Sequence, residues 1–513
     1  MGPPKYAFQQ ALWILMTNLY QVFREHFNLS RPLLIDAAGE TLATYDDLDR
    51  CSAQFAIALT QLGLKPGDRV AVQTQKSIGA VYLYCGCLRA GLIYLPLNTA
   101  YGAHELDHFL QDATPSLLMV DPEQALDHAA RSVLTLTMDQ FGEGTLTDLA
   151  RHCATSHPIE ARAPDDIAVI VYTSGTTGLP KGAMISHENL ISNAQTLKTA
   201  WDWTPTDVML HTLPIFHVHG LFVGLHLPIL AGCPMIFQSG FNAAGVLKAM
   251  ARTTVFMGVP TYYTRLLSEG INQNHCAGMR LFISGSAPLL TQTFNDWEDA
   301  TGTVILERYG MSETGMNTAN PLNGTRKPGT VGPPLPGVQC LVVNDADEPL
   351  PAGDTGQLWV RGPNVFQGYW QNAEKTKESF TPNGYFKTGD LALIDDDGYI
   401  SIVGRSKDLI ITGGLNVYPK EIELVLDAID GVLESAVIGL PHKDFGEAVC
   451  AVIVAQPETD LTPDLIYSQV KSRLANFKTP KQIFFLQSLP RNTMGKVQKN
   501  QLREQFSEPP GSG

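Results

Sequence analysis

The chain reads as an α/β protein: a large N-terminal region of βα subdomains with mixed sheets and a β-rich subdomain, followed by a small C-terminal α+β domain. Three observations predict this. Short apolar, β-branched runs alternate with helix-length segments through the first half, the spacing of βαβ units that build a mostly parallel sheet. From Gly332 to Ile402 the pattern changes to short strands broken by Gly, Pro and Asp turns such as Asp395-Asp396-Asp397-Gly398, which reads as a β-rich subdomain. Past residue 408 a separate unit begins, in which Pro419 and the early glutamates Glu421 and Glu423 mark a helix start.

In chain order, Asp68-Arg69-Val70-Ala71-Val72 is a strand, residues 76–90 a helix, and Ile93-Tyr94-Leu95-Pro96-Leu97 a second strand. Ser116-Leu117-Leu118-Met119-Val120 adds another before Asp121-Pro122 stops it. Leu213-Pro214-Ile215-Phe216-His217-Val218-His219-Gly220 opens a long apolar helix to Leu230, and Met279-Arg280-Leu281-Phe282-Ile283-Ser284 is a strand leading into a tight turn.

Length and composition set the bounds. With 513 residues, 44% apolar, the chain is globular and holds several domains or lobes. A formal charge of −15 argues against nucleic acid or an anionic membrane as partner, and requires any anionic substrate to be held by local positive groups. The eight cysteines are scattered and read as reduced packing thiols of a cytoplasmic protein. No run approaches the ~18 apolar residues of a membrane span. Residues 1–15 precede a second methionine, Met16, and read as an N-terminal extension; no small-residue cleavage site comes after them, and the lack of acidic residues before Glu25 leaves an organelle address open.

The most informative stretch is Tyr172-Thr173-Ser174-Gly175-Thr176-Thr177-Gly178-Leu179-Pro180-Lys181-Gly182, which succeeds the apolar run Ile167–Val171. Glycines let backbone amides converge on an anion, hydroxyls add donors, and Lys181 adds a mobile charge. This is a phosphate cradle but not a Walker loop, since Pro180 rather than glycine precedes the lysine. His217 and His219, two residues apart, cannot share a helical face, so they do not form a helical metal pair. Arg280, at the head of an apolar strand, either faces outward or holds an anion, because charges are rarely buried unpaired.

The motif Thr173–Gly182 resembles the phosphate loop of the adenylate-forming superfamily, which includes acyl-CoA synthetases, luciferases and peptide-synthetase adenylation domains. Its partner motifs come in order: Gly285-Ser286-Ala287-Pro288-Leu289, Glu307-Arg308-Tyr309-Gly310-Met311-Ser312-Glu313-Thr314, Tyr385-Phe386-Lys387-Thr388-Gly389-Asp390, Gly404-Arg405-Ser406-Lys407-Asp408 and Pro490-Arg491-Asn492-Thr493-Met494-Gly495-Lys496. The resemblance implies a large domain over 16–405, a hinge at 406–408, a small mobile domain over 409–506 and a tail from 507. It implies ATP, Mg²⁺ and coenzyme A as the small molecules bound.

By the same resemblance, Thr173, Ser174, Gly175, Thr176, Thr177, Gly178 and Lys181 cradle the phosphates, and Ser286, Ala287 and Pro288 border adenine. Glu307, Arg308 and Tyr309 line the nucleotide, Tyr309 stacking on the base. Glu313, with Thr177, holds the magnesium ion, and Thr314 contacts the α-phosphate. Asp390 accepts the ribose hydroxyls and Arg405 reaches ribose or phosphate. Gly413 and Gly414 border the coenzyme A tunnel, Lys407 is the hinge residue, and Lys496 is the mobile catalytic lysine. His217 and Met311 wall the acyl pocket.

Arg280 before Leu281-Phe282-Ile283-Ser284, the Phe216-His217-Val218-His219-Gly220 turn and the end Arg491–Asn500 together resemble malonyl-CoA synthetases. That implies malonate or methylmalonate as the acid, with Arg280 binding its distal carboxylate. The alternatives are an acyl-CoA synthetase for another short-chain acid, or an adenylation enzyme that loads a carrier protein. Oligomeric state is not inferable from the sequence.

Overall fold

The computed structural model describes residues 18–125, 132–173, 180–412, 415–442, 445–493 and 495–507. The chain divides into two compact units, one comprising residues 1–339 and 360–386, the other residues 340–359 and 387–513. The β-rich segment is therefore divided between the two units, whereas the resemblance assigns it to the large domain.

The first unit is built on two sheets. A six-stranded sheet runs in the order Leu134–Thr137, Leu117–Val120, Arg69–Gln73, Ile93–Pro96, Ile167–Thr173, Lys181–Ser186. Its neighbours are parallel except for the last pair, which is antiparallel. The three strands expected between residues 68 and 120 form within a residue or two of their expected bounds, because all are largely apolar runs of the kind that doubly covered parallel sheets bury. The helix Ile78–Arg89 is capped by the Ser77 side chain.

An eight-stranded sheet runs Gly315–Ala319, Leu306–Met311, Leu281–Ser284, Val255–Gly258, Met209–His211, Met235–Phe237, Pro32–Ile35, Thr41–Thr44. It is parallel through its centre and closed by antiparallel pairs at both edges. One face buries Trp297, Tyr263, Phe256 and Phe282, with Trp297 meeting Tyr263 and Phe282 edge-to-face at 4.9 Å. Parallel strands present their C-terminal ends together, where ligands of open α/β sheets bind.

The expected helix from Leu213 begins later and differently. Residues His219–Leu225 form a π-helix that continues as the α-helix His226–Ala231. The chain from 213 to 217 is turn and loop, so His217 precedes the helix and His219 sits on its first turn. Turns of π type leave the ordinary helical hydrogen bonding and gather at functional sites.

In the second unit, a four-stranded sheet of Gln339–Val343, Gly356–Arg361, Phe386–Ile394 and Ile400–Arg405 carries the aspartate turn. The remainder is a five-stranded sheet around the hairpin Val432–His442 and Gly446–Ala455, packed by the helices Pro419–Asp427 and Pro463–Arg473. Among the described residues no helix is long and apolar enough to cross a membrane.

Candidate active site

The strand Ile167–Thr173 and its antiparallel partner Lys181–Ser186 hold the two ends of the glycine-rich segment opposite each other, Thr173 against Lys181. Ser174, Gly175, Thr176, Thr177 and Gly178 lie outside the described residues. At the far end of the segment, His108 donates from Nε2 to the Pro180 carbonyl at 2.9 Å. The Lys181 ammonium lies 5.8 Å from the centre of the Tyr369 ring.

Glu313 is brought to the same place. Its carboxylate, in a residue only 6% exposed, accepts from the Tyr369 hydroxyl at 3.1 Å and from Thr173 Oγ1 at 3.4 Å. Its backbone carbonyl accepts from Phe366 N–H at 2.8 Å. Thr314 is fully buried, with Asn317 donating to its hydroxyl and Asn364 to its carbonyl, both at 2.7 Å. One buried carboxylate among hydroxyls suits Mg²⁺, which takes hard oxygens from one or two carboxylates and completes its shell with phosphate and water. Among the described residues no cluster of three His, Cys, Asp or Glu side chains gathers to hold a metal by itself.

The second part of the site forms where the strands Leu281–Ser284 and Leu306–Met311 run side by side, Ser284 level with Glu307. Beyond Ser284 the chain turns sharply. Ser286 adopts φ +72°, a left-handed conformation that non-glycine residues rarely hold and that concentrates at functional sites. Ala287 is half-buried and Pro288 exposed in the same turn. Arg308 comes to lie against Gly285; a Cβ there would sit 2.5 Å from Arg308 Cζ, so a side chain at this position would displace the guanidinium. Glu307 is buried, and the half-buried Tyr309 donates to Met311 Sδ at 3.8 Å.

Arg308 is the exceptional group. It is 4% exposed, and its Nε and Nη2 are buried without an acceptor among the described residues. Burial lowers its pKa to about 9, so it keeps its charge at neutral pH. Two imidazoles share its surroundings. Burial first, and then the charge of Arg308, pull His217 down to about 4 and His219 well below the usual histidine range. Both rings are neutral at pH 7. His217 Nδ1 accepts from the His219 backbone N–H at 3.2 Å, which leaves Nε2 as its protonated nitrogen. His219 Nδ1 is 3.1 Å from Ser286 Oγ.

Arg280 is not part of this arrangement. It donates from Nε and Nη2 to the two carboxylate oxygens of Asp207 at 2.6 and 2.8 Å, and from Nη1 to the Trp201 carbonyl at 3.0 Å. It lines a surface pocket of about 420 Å³ with Phe294, Glu298 and Arg326. Arg280 precedes the first residue of Leu281–Ser284, whereas the site lies past the last. At about 3.3 Å per residue the five steps from Arg280 to Gly285 span roughly 16 Å. The expected substrate ligand is thus a structural ion pair at the opposite end of the strand.

In the C-terminal unit, Asp390 and Arg405 stand opposite each other on paired strands, with Arg405 Nε 2.6 Å from Asp390 Oδ1. Lys407 occupies a 3₁₀ turn, Ser406–Asp408. The exposed Lys496 has its charge near Arg405, Lys407, Asp390 and Asp408; enclosure of its ammonium, then Arg405, lowers its pKa. The structure thus gathers Asp390, Arg405, Lys407 and Lys496 in one neighbourhood. Gly413 and Gly414 lie outside the described residues.

Three contributors are not apparent as such in the sequence. The motif marks Arg308 only as nucleotide-lining, and with Glu307 beside it in Leu306–Met311 no apolar run sets the arginine apart. His219 reads as structural, although its spacing from His217 places it in the same turn. Tyr369, which donates to Glu313, carries no sequence signal at all.

Residues 24–370 match the family described as AMP-binding enzyme, and residues 421–496 match the AMP-binding enzyme C-terminal domain. The chain is 36% identical to a malonate–CoA ligase of Arabidopsis thaliana, over 86% of this chain and 80% of that protein. It is 35% identical to the mitochondrial malonate–CoA ligase ACSF3 of Mus musculus, over 93% and 88% respectively. Among solved structures, ATP-bound MatB from Rhodopseudomonas palustris superposes with a TM-score of 0.94 at 48% identity, covering 96% of this chain and 99% of that one.

Proposed function

The chain belongs to the AMP-binding enzyme family, and we propose that it is an acid–thiol ligase joining malonate to coenzyme A with ATP as the driving reagent, Arg308 holding the carboxylate that does not react. The observation that carries the acid's identity is a buried guanidinium with donors that meet no acceptor among the described residues, set beside two neutral imidazoles. A dianion one methylene long must bury its second charge, and a buried charge needs a partner. The relatives named as malonate–CoA ligases support the same acid.

The chemistry runs in two halves. One malonate carboxylate attacks the α-phosphorus of ATP, forming the acyl–phosphate bond and displacing pyrophosphate. The thiol of coenzyme A then attacks the acyl carbonyl, its proton leaving to solvent, and AMP departs with the electron pair. A carboxylate facing a polyphosphate is repelled, so the protein's work is alignment and charge neutralisation. Glu313, with Thr177, would hold Mg²⁺, whose charge offsets that of the departing pyrophosphate. Thr173 and Lys181, at the two ends of the glycine-rich segment, orient the phosphates. Tyr309 offers its ring to adenine and Asp390 its carboxylate to the ribose.

Lys496 neutralises the approaching carboxylate and α-phosphate in the first half-reaction and withdraws for the second, with Lys407 as the residue whose backbone turns. We place the protein in the cytoplasm; its free cysteines, with Cys85, Cys87, Cys233, Cys276 and Cys450 buried as packing groups, suit a reducing compartment.

The test is pyrophosphate and AMP release with coenzyme A over malonate, methylmalonate, succinate, acetate, propionate and a medium-chain acid. Malonate or methylmalonate should give the highest kcat/KM. Preference for a monocarboxylic acid would overturn the assignment of the acid.

A further inference from the structure

A second buried cation in the first unit has no part in the chemistry above. Lys76 lies just past the strand Arg69–Gln73, at the C-terminal edge of the six-stranded sheet, and is 8% exposed. Among the described residues no carboxylate pairs with it, and burial holds its pKa well below the usual lysine range. Its Nζ donates instead to His211, at 2.8 Å to Nδ1 and 2.9 Å to the carbonyl, and lies 4.3 Å from the centre of the Phe237 ring. His211 ends the strand Met209–His211 of the eight-stranded sheet. One lysine therefore ties together the ligand-facing ends of both sheets.

The bond to Nδ1 has a chemical consequence. An imidazole nitrogen that accepts carries no proton, so the proton of His211 resides on Nε2. Nε2 in turn donates to the Gly220 carbonyl at 2.9 Å. Gly220 is the second residue of the π-helix, adjacent to His219 and three residues from His217. The ring fits there because Gly224 has no side chain; a Cβ on it would meet His211 Nε2 at 2.8 Å. The bond to the Gly220 carbonyl thus anchors the first turn of the π-helix from outside it.

We propose that Lys76 is a positioning residue for recognition of the acid: by fixing the tautomer of His211 it anchors the π turn that sets His217 and His219 beside Arg308. The proposal rests on the reading of Arg308 and its imidazoles as the acyl pocket. It assigns Lys76 no contact with substrate. Lys76 acts only through His211 and Gly220.

A double-mutant cycle separates this role from simple packing. Lys76→Met keeps an unbranched, largely apolar side chain, one atom shorter, and removes its donors. His211→Gln keeps a donor at the Nε2 position on an amide that has no tautomers, whereas His211→Asn does not reach. In pyrophosphate-release assays Lys76→Met should lower kcat/KM for malonate by about tenfold, the loss of roughly one hydrogen bond. The KM for ATP should stay within about twofold, since the phosphate residues are untouched. In the His211→Gln background the same Lys76→Met change should cost far less, because no tautomer remains to be fixed.

An equal cost in both backgrounds, or equal damage to malonate and ATP parameters, would overturn the proposal. Should Lys76→Met fail to fold by its thermal transition, the single variants decide: His211→Gln should retain malonate activity that His211→Asn loses, and the reverse order refutes the anchor. Failure of the acyl-pocket reading itself shows separately, as a wild-type enzyme indifferent to malonate.

Discussion

Replacing Arg308 by alanine is the sharpest test of how this site selects its acid. The guanidinium is buried, and among the described residues no acceptor meets its Nε and Nη2. Its imidazole neighbours cannot substitute for it at neutral pH, since His217 titrates at about 4 and His219 well below the usual range. Loss of one partner from a buried charge pair costs about 3–5 kcal/mol. At ~1.4 kcal/mol per decade, kcat/KM for malonate should fall by roughly two to three and a half decades. Propionate, which carries a methyl group in place of the second carboxylate, should lose little or gain, because an unpaired buried cation has been removed.

The pH dependence of the variant provides an independent check. Burial and the charge of Arg308 both depress His217. Without Arg308 only burial, the larger of the two causes, still depresses His217, so its folded pKa rises but stays below the ordinary value. His217 then becomes protonated, and able to pair with the second carboxylate, at a higher pH than in wild type, and the Arg308→Ala enzyme should recover malonate activity relative to wild type as pH falls below about 6. Pyrophosphate release at several pH values, with malonate and propionate in parallel, measures both effects. Equal losses on the two acids would refute the reasoning, since a structural arginine does not distinguish its substrates.

Other perturbations separate the remaining roles. Arg280→Ala should depress all acids alike while lowering stability by about 1–3 kcal/mol, read from thermal unfolding, because it strips a bidentate partner from Asp207. Burial acts to raise the Asp207 pKa, but the hydrogen bonds from Arg280, Thr204 and Thr254 outweigh it and leave the pKa lowered. That stabilisation exists above the unfolded value near 3.9 and is lost as pH falls through the folded value, so the gap between variant and wild type should close below about pH 4. Lys496→Ala should abolish malonate-dependent ATP–pyrophosphate exchange yet still convert supplied malonyl-adenylate to thioester; equal loss of both would leave no case for a lysine serving one step. Lys407→Pro fixes φ near −65° and should keep adenylation while losing thioester turnover, and normal turnover would move the hinge elsewhere.

Much of this site is legible because its chemistry is local in sequence. The strand Ile167–Thr173, the turn at Ser286 and the strand Leu306–Met311 with the nearby Glu313 each present their functional groups within a few residues of a strand's C-terminal end. Apolar runs announce the strands, and glycines or hydroxyls announce the turns beyond them. Less legible is anything set by contacts across the fold. Tyr369 reaches Glu313 from a segment 56 residues away, and Lys76 meets His211 across 135. The π-helix at His219–Leu225 carries the same apolar composition as an α-helix, so its register depends on His211, Gly220 and Gly224 meeting in space.

The contrast between Arg280 and Arg308 shows what a sequence pattern leaves undecided. Both arginines stand at strands that lead into motif turns, and burial cost alone says only that each needs a partner. Which partner depends on the end of the strand. In a parallel sheet the C-terminal ends share one edge, and substrates bind there. Arg280 lies before its strand, and at that end it meets Trp201 and Asp207. Arg308 lies two residues into Leu306–Met311, but that strand is offset in register so that Glu307 is level with Ser284, carrying Arg308 past the end of its neighbour to Gly285. A stagger of a few residues between two adjacent strands thus decides which arginine lies at the C-terminal edge of the sheet, and no property of either arginine's own sequence neighbourhood encodes it.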